Sequence, residues 1–311
     1  MAYAVLPPSF GGKVSVGVLG PGGRLGAWKG LALLGRGPWY STWSPDGTQI
    51  AYVTREPLSL TTVVRVHNIA TGSDRELYRG GLIMLCLWAS QHPNLFCAEI
   101  EGKNTNVLSI AVDSGNAKKI GTLEGTRIFH GVSLDDRMLN TVKVEDRTGY
   151  QWEIGTDRDT KGAGGLSSRD GRWNFQSARD AENRLEVQIR PVSGEQDWKH
   201  LVYLHGSRAP AFTTVPMRFT ADGNWFVFRD RDTDGNYGLY RVSTSGGEPE
   251  RLGDYPPSEV VSFLSIGPDG RRFIVESPPN RASGQPEFWL LDNFLPASAP
   301  AAKPAAKAAT K

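Results

Sequence analysis

Short apolar runs separated by polar turns fill most of the chain, and they follow the two-residue period of β-strands. Leu185, Val187 and Ile189 alternate with charged or polar neighbours, which places the apolar side chains on one face. Comparable runs cover residues 63–69, 107–112 and 239–243. No stretch of ten residues with convincing helical periodicity occurs before the tail. The pattern therefore predicts an all-β protein.

A turn motif recurs along the chain, and its clearest copy is Ser44-Pro45-Asp46-Gly47, which an apolar run follows. Asp can bond its own backbone two residues on, and Gly accepts a positive φ, so this pair turns the chain between two strands. The equivalent positions are Asp46, His92, Asp135, Asp170, Asp222 and Asp269. Their mean spacing of about 45 residues is the period of a propeller blade.

We call these six equivalent positions the anchors. A second turn follows four of them after about 24 residues. These turns lie at Thr71-Gly72, Ser114-Gly115, Ser193-Gly194 and Ser245-Gly246. Two turns in each unit imply four strands, which make one blade. We therefore expect one β-propeller of six four-stranded blades over residues 13–295. Residues 1–12 are an N-terminal extension, and residues 296–311 are an Ala/Pro/Lys tail that cannot bury a core.

Ring closure remains open between six and seven blades. Residues 29–34 precede the first repeat at the right distance to supply the outermost strand of the sixth blade. Residues 14–19, however, resemble a third strand, and residues 286–291 continue the sixth repeat. This is one strand too many for six blades, so a partial seventh blade is the alternative.

The Ser-Pro-Asp-Gly turn with its apolar strand resembles the repeat of TolB-like, WD40-like β-propellers. The same repeat builds the propeller half of prolyl-oligopeptidase-type peptidases, and the resemblance covers residues 38–292. It implies a non-catalytic module that binds a protein or peptide, such as a detached sensory or interaction domain. For the family's namesake it implies a periplasmic partner of an outer-membrane lipoprotein. That role is not carried over, because no signal sequence or α/β domain precedes the repeats here.

Charge and hydropathy narrow the class of partner. The chain has 35 basic and 33 acidic residues, a net charge of +2, which gives no strong drive towards nucleic acid. No run approaches the roughly 18 apolar residues of a membrane helix. Residues 1–10 show no secretory signal. Read from Met1, the chain is expected to be a cytoplasmic monomer without membrane insertion; a true start further upstream would allow a periplasmic protein.

The two cysteines lie on either side of a predicted turn. If Trp88 and Leu95 face each other across that hairpin, so do Cys86 and Cys97, and a disulfide becomes geometrically accessible. Nothing in the sequence indicates an oxidising compartment, so two reduced thiols are the favoured interpretation.

Catalytic motifs are not found. The chain has no Gly-x-Ser-x-Gly nucleophile elbow, and its five histidines form no ligand pair on one element. The alternative to a binding module is a metal-dependent small-molecule lyase or lactonase that uses the central channel. We expect no catalytic residues, although this leaves the question of enzyme activity open.

Residues close to the anchors lie on innermost strands or at the channel mouth, where loops from all blades converge. By position alone, His130, Asp135, Arg169 and Arg218 are the candidates for channel or rim binding.

Asp230, Asp232 and Asp234 precede a glycine in an Asp-x-Asp-x-Asp-Gly pattern that resembles the front of a calcium loop. Arg241 stands where the bidentate Glu of such a loop belongs. A polar turn between strands is therefore the favoured interpretation, and calcium is the one cofactor that the pattern allows.

Overall fold

The computed structural model describes residues 13–34, 36–56, 59, 61–161, 166–193, 196–205, 217–255 and 263–277. Within them, β-strands form six antiparallel sheets of four strands each. The first three sheets are β3 (Arg36–Trp43), β4 (Gln49–Arg55), β5 (Thr62–Asn68), β6 (Asp74–Gly80); β7 (Leu82–Trp88), β8 (Asn94–Glu101), β9 (Asn104–Ala111), β10 (Ala117–Glu124); and β11 (Arg127–Val132), β12 (Met138–Lys143), β13 (Gly149–Glu153), β14 (Asp159–Lys161). The next two are β15 (Leu166–Ser167), β16 (Trp173–Arg179), β17 (Leu185–Pro191), β18 (Lys199–Tyr203); and β19 (Met217–Phe219), β20 (Trp225–Arg231), β21 (Tyr237–Ser243), β22 (Glu250–Asp254). These are blades one to five of a β-propeller.

The sixth blade is built from both ends of the described chain. Its inner strands are β23 (Phe263–Ile266) and β24 (Arg272–Ser277), and its outer strands are β1 (Lys13–Val18) and β2 (Lys29–Gly30). β1 pairs with β24 from Lys13 opposite Ser277 to Val18 opposite Arg272. Both N-terminal segments singled out in the sequence are therefore strands of one blade, and the described residues form six blades. The predicted strand at residues 286–291, together with the extension and the tail, lies outside the described residues.

The core lies between neighbouring blades, and the middle strands feed two clusters at once. Along β8, Leu95 and Cys97 pack towards blade one, whereas Phe96 and Ala98 pack towards blade three. Successive side chains of a strand point to opposite faces, so a strand buried on both faces is apolar at every position. The near-continuous apolar runs of the sequence are such middle strands.

Each anchor lies in the turn between the first two strands of its blade. In blade one, Ser44 Oγ donates to Asp46 Oδ1, which also accepts the backbone N–H of Thr48. Gly47 has φ +69°, a conformation that costs glycine little. The turns at Asp135, Asp170 and Asp222 repeat the bond from a Ser or Thr hydroxyl to the carboxylate two residues on. The anchor carboxylates thus hold turns.

Cys86 and Cys97 are paired across the β7–β8 hairpin, as are Trp88 and Leu95, which confirms the predicted register. The two sulfurs form a disulfide, contrary to the expectation of reduced thiols. Both residues are buried in the cluster between blades one and two. The sequence could place them opposite each other but held no sign of their redox state.

The part of the chain that the structure describes contains no helix with the length and hydropathy of a membrane span.

Candidate functional site

The innermost strands of the blades surround the central channel, and three consecutive ones are irregular. β7 and β11 each carry one extra residue relative to the neighbouring strand, at Met84 and His130. β3 carries two, one between Arg36 and Trp39 and one at Tyr40–Ser41. The pairings of β19 and β23 with their neighbours show no such shift. A β-bulge redirects a side chain, and bulges are enriched beside functional sites. The bulged inner strands of blades one to three are therefore candidates for a functional surface, although outer strand pairs of four blades also shift register.

His130 is the inserted residue of the β11 bulge, between Phe129 and Gly131. Both ring nitrogens are buried, and neither has a hydrogen-bond partner. Burial and, to a smaller extent, the positive charge of Arg218 together lower the pKa of His130 to about 3. The imidazole is therefore neutral at physiological pH, with one N–H to donate and one nitrogen to accept.

Arg218 approaches from β19 of blade five. Its Nη1 donates to the carbonyl oxygen of Met217 at 2.9 Å, and its guanidinium carbon lies 5.4 Å from the ring centroid of Phe263. The described part of the chain gives Arg218 no carboxylate partner. Burial lowers the pKa of Arg218 to about 10, which still leaves it charged. The side chain keeps some accessible area, as a group facing a channel does.

Tyr40 completes the cluster from blade one. Its ring packs edge-to-face on Phe263, with the centroids 5.3 Å apart. Tyr40 has φ +52°, which is uncommon for a residue with a side chain. Its backbone N–H and that of Ser41 donate to the carboxylate of Glu276, a buried residue of β24. We call Tyr40, His130, Arg218 and Phe263 the channel cluster.

Glu276 supports the cluster from behind. Burial raises its pKa to about 7, and the hydrogen bonds from Tyr40 and Ser41 oppose that rise. A buried carboxyl group is costly unless its oxygens are satisfied, and here it accepts two backbone N–H groups of a strand that departs from regular pairing. Glu276 therefore holds the bulge that presents Tyr40.

A second group of polar residues links three blades at the mouth of the channel. Asp136 in blade three accepts the backbone N–H groups of Ser90 and Gln91 in blade two, the latter at 2.8 Å. Arg169 in blade four donates to Ser90 Oγ through Nε at 3.2 Å and Nη2 at 2.9 Å. We call Ser90, Asp136 and Arg169 the rim network. It caps the blade-two turn, which has no aspartate of its own.

The four predicted binding residues thus fall in different places. His130 and Arg218 belong to the channel cluster, where the charge of Arg218 acts on the imidazole, and Arg169 lies in the rim network. Asp135 is exposed and holds its own turn by accepting from Ser133 Oγ and from the backbone N–H of Arg137. Its neighbour Asp136 is the buried residue that reaches another blade. The sequence signal for the role of Asp136 was that an aspartate stands where other repeats have glycine.

The three aspartates of the calcium-like pattern are not gathered around one point. Asp230 is buried and accepts the backbone N–H and the ring Nδ1 of His205. Asp232 accepts the backbone N–H groups of Asp234 and Asn236, as in a turn. Among the described residues, no group of three His, Cys, Asp or Glu side chains could hold a metal ion.

Comparison of the sequence with protein-family models and with curated proteins gave no match. Solved structures do match its fold. A protein assigned as a TolB in Agrobacterium tumefaciens aligns with a TM-score of 0.58 and 15% identity, over 86% of this chain and 98% of that one. TolB from Acinetobacter baumannii aligns with a TM-score of 0.51 and 13% identity over 88% of this chain, which spans 65% of that protein's length.

The same fold occurs in a protein assigned as a 6-phosphogluconolactonase from Bacteroides fragilis. It aligns with a TM-score of 0.52 and 14% identity, over 85% of this chain and 87% of that one. Together these likenesses show that the chain has the TolB-like β-propeller fold. One fold serves proteins with different names, so function has to be argued from the site.

Proposed function

We propose that this protein is a non-catalytic β-propeller that binds a protein or peptide partner at its central channel. The observation that carries the proposal is the channel cluster, in which side chains from blades one, three, five and six converge. Its cation and its imidazole have hydrogen-bonding capacity that the described residues leave unused. Buried polar groups are ordinarily paired, so unpaired ones on the innermost strands call for a partner that the described residues do not supply.

The cluster is better suited to binding than to chemistry. A general base needs a pKa near the operating pH and a group that orients it, but the His130 imidazole has a pKa of about 3 and no hydrogen-bond partner. Arg218 and Phe263 offer charge, donors and an apolar face, which are the components of recognition.

Site-specific photo-crosslinking in the native host tests the proposal. A benzophenone amino acid replaces His92, an exposed residue in the blade-two turn at the channel mouth. The matched control replaces Lys118, an exposed residue on β10, the outermost strand of the same blade. We expect a discrete crosslinked protein from position 92, reduced by Arg218→Met and absent from position 118. Equal crosslinking at both positions would rule out the channel as the binding site.

The alternative, a metal-dependent lyase or lactonase, requires a set of metal ligands in the channel. No such set occurs in the described ranges, and the channel cluster contains one histidine and no carboxylate. Metal analysis of the purified, dialysed protein separates the two functions. Stoichiometric calcium, manganese or zinc that survives dialysis would favour the enzyme.

The disulfide bears on where the protein works. Disulfides persist in oxidising compartments and are rare in the cytosol of mesophiles. The buried Cys86–Cys97 bond therefore supports the periplasmic alternative over the cytoplasmic one. Trapping free thiols in intact cells with a mass-tagged alkylating agent tests this. Cys86 and Cys97 that stay unlabelled after denaturation without reductant support the periplasm, and quantitative labelling under the same conditions would favour the cytosol.

A further inference from the structure

We propose that the channel cluster holds a carboxylate group of the ligand between Arg218 and His130. This inference rests on the proposed function and names the chemical group by which the partner is held. A carboxylate accepts two hydrogen bonds from one guanidinium and still has lone pairs for a donor on the other side.

A comparison of two arginines shows why Arg218 is the residue that carries the proposal. Arg127 is 1% exposed and is fully matched, with Glu124 O accepting from Nε, Thr141 Oγ1 from Nη1 and Asp159 from Nη2 at 2.7 Å. Arg218 has one backbone carbonyl and an aromatic ring. The fold therefore pairs one arginine internally and leaves the other charged, on an innermost strand and without a carboxylate partner among the described residues.

His130 supplies the second half of the site. Its two ring nitrogens are buried without partners, and the β11 bulge sets the side chain apart from regular strand pairing. Either tautomer of a neutral imidazole has one N–H to donate. An anion placed between this N–H and the guanidinium would satisfy groups that are otherwise desolvated at a cost.

Charge balance favours a carboxylate over a phosphate. The site offers one positive charge, from Arg218, because the imidazole is neutral. A carboxylate carries one negative charge, whereas a phosphate monoester carries roughly 1.5 to 2 at neutral pH and would leave negative charge uncompensated. The cation lies beside the Phe263 ring, on which the Tyr40 ring packs, so the carboxylate is expected to be joined to an apolar or aromatic group.

Matched acid and amide probes test the inference. Phenylacetate is compared with phenylacetamide and inorganic phosphate. Acetyl-Gly-Gly-Phe with a free carboxylate is compared with its C-terminal amide. Titrations follow the ring ¹⁵N resonances of His130 by NMR and the heat of binding. We expect each acid to bind at least about tenfold more tightly than its amide and more tightly than phosphate, with a shift of the His130 signals.

Two variants locate the effect. Arg218→Met is expected to remove the preference for acid over amide. Arg158→Met is the charge-matched control, because Arg158 is an exposed arginine paired with Glu153, and it should behave as the wild type. Arg218→Gln serves as a second variant if Arg218→Met does not fold. Equal affinity for acid and amide in the wild-type protein, or an acid preference that survives both Arg218 variants, overturns the inference.

The two probe series separate this inference from the proposed function. If phenylacetate binds but the peptide acid does not, the carboxylate site stands and its ligand is a small acid, which counts against a peptide partner. If acid and amide peptides bind alike, a peptide-binding channel stands and the carboxylate site falls.

Discussion

The carboxylate of Glu276 accepts the backbone N–H of Tyr40 at 2.9 Å, across 236 positions of sequence. The two residues belong to blades six and one, so this bond crosses the place where the ring closes. It also holds an irregular part of β3 from which the Tyr40 ring reaches the channel. A buried acid of blade six thereby shapes the binding surface of blade one.

This contact predicts a pH dependence of stability. Burial raises the pKa of Glu276 from 4.5 to about 7, so between these values the folded chain keeps a proton that the unfolded chain releases. The free energy of unfolding should therefore fall as pH rises from about 5 to 7.5, with at most about 3 kcal/mol from this group. Urea unfolding at several pH values measures the slope.

Glu276→Gln checks the assignment, because glutamine does not titrate. The variant should lose this part of the slope and should be less stable at pH 5, since its amide N–H₂ faces a backbone N–H. Glu182→Gln, at an exposed site, is the matched control. Identical slopes for Glu276→Gln and the wild type would contradict the prediction.

Arg127 and Arg218 should respond differently to removal of their charge. Arg127→Met leaves Asp159 without its partner and should lower the free energy of unfolding by about 3 kcal/mol. Arg218→Met removes a charge that has no carboxylate partner in the described structure, so stability should stay within about 1 kcal/mol or rise. Urea midpoints of both variants provide the measurement. A large loss for Arg218→Met would mean that the arginine is structural.

Asp135 and Asp136 are adjacent, yet their variants should differ. Asp136→Asn retains one acceptor where two backbone N–H groups donate, and it removes the charge beside Arg169, so we expect a loss of about 1–2 kcal/mol. Asp135→Asn keeps the acceptor of an exposed turn and should change stability by less than about 0.5 kcal/mol. Thermal unfolding of the pair decides the matter, and equal effects would refute the distinct role of Asp136.

The disulfide should contribute measurably to stability. Reduction opens a short loop, and the loss expected from the loop-closure model is about 2–3 kcal/mol. Unfolding of the wild type should therefore occur at lower urea concentration with dithiothreitol than without it. The Cys86→Ala/Cys97→Ala protein should be insensitive to the reductant. Sensitivity that persists in the double variant would place the redox effect elsewhere.

Features that depend on neighbouring residues could be predicted from the sequence, whereas contacts between distant segments could not. The Asp46-Gly47 turn depends on its own residues, so its position, the blade period and the all-β class followed from the sequence. Ring closure depends on the pairing of β1 with β24, some 250 residues away. Because several segments had similar strand patterns, the sequence did not identify that pair. Arg218 and His130 could be placed on innermost strands, but their convergence depends on how the blades are arranged around the channel.

Residues that act through unusual backbone were the hardest to foresee. Glu276 occupies an apolar-looking strand, and nothing near it in sequence indicates that it accepts from Tyr40 and Ser41. Asp136 differs from the glycine of other repeats, with φ +55°, and this departure was visible although its purpose was not. At such positions an unfavourable local backbone conformation is offset by a hydrogen bond to another blade.

The sixth blade imposes an order on biosynthesis. Blades one to five each consist of four strands made consecutively, so each can form its sheet as it leaves the ribosome. The strands at residues 13–18 and 29–30 pair into a sheet whose other half, residues 263–277, is translated after blades one to five. β1 must therefore wait, unpaired with β24, until the five other described blades have been made. Completion of the propeller is thus a late event of its synthesis.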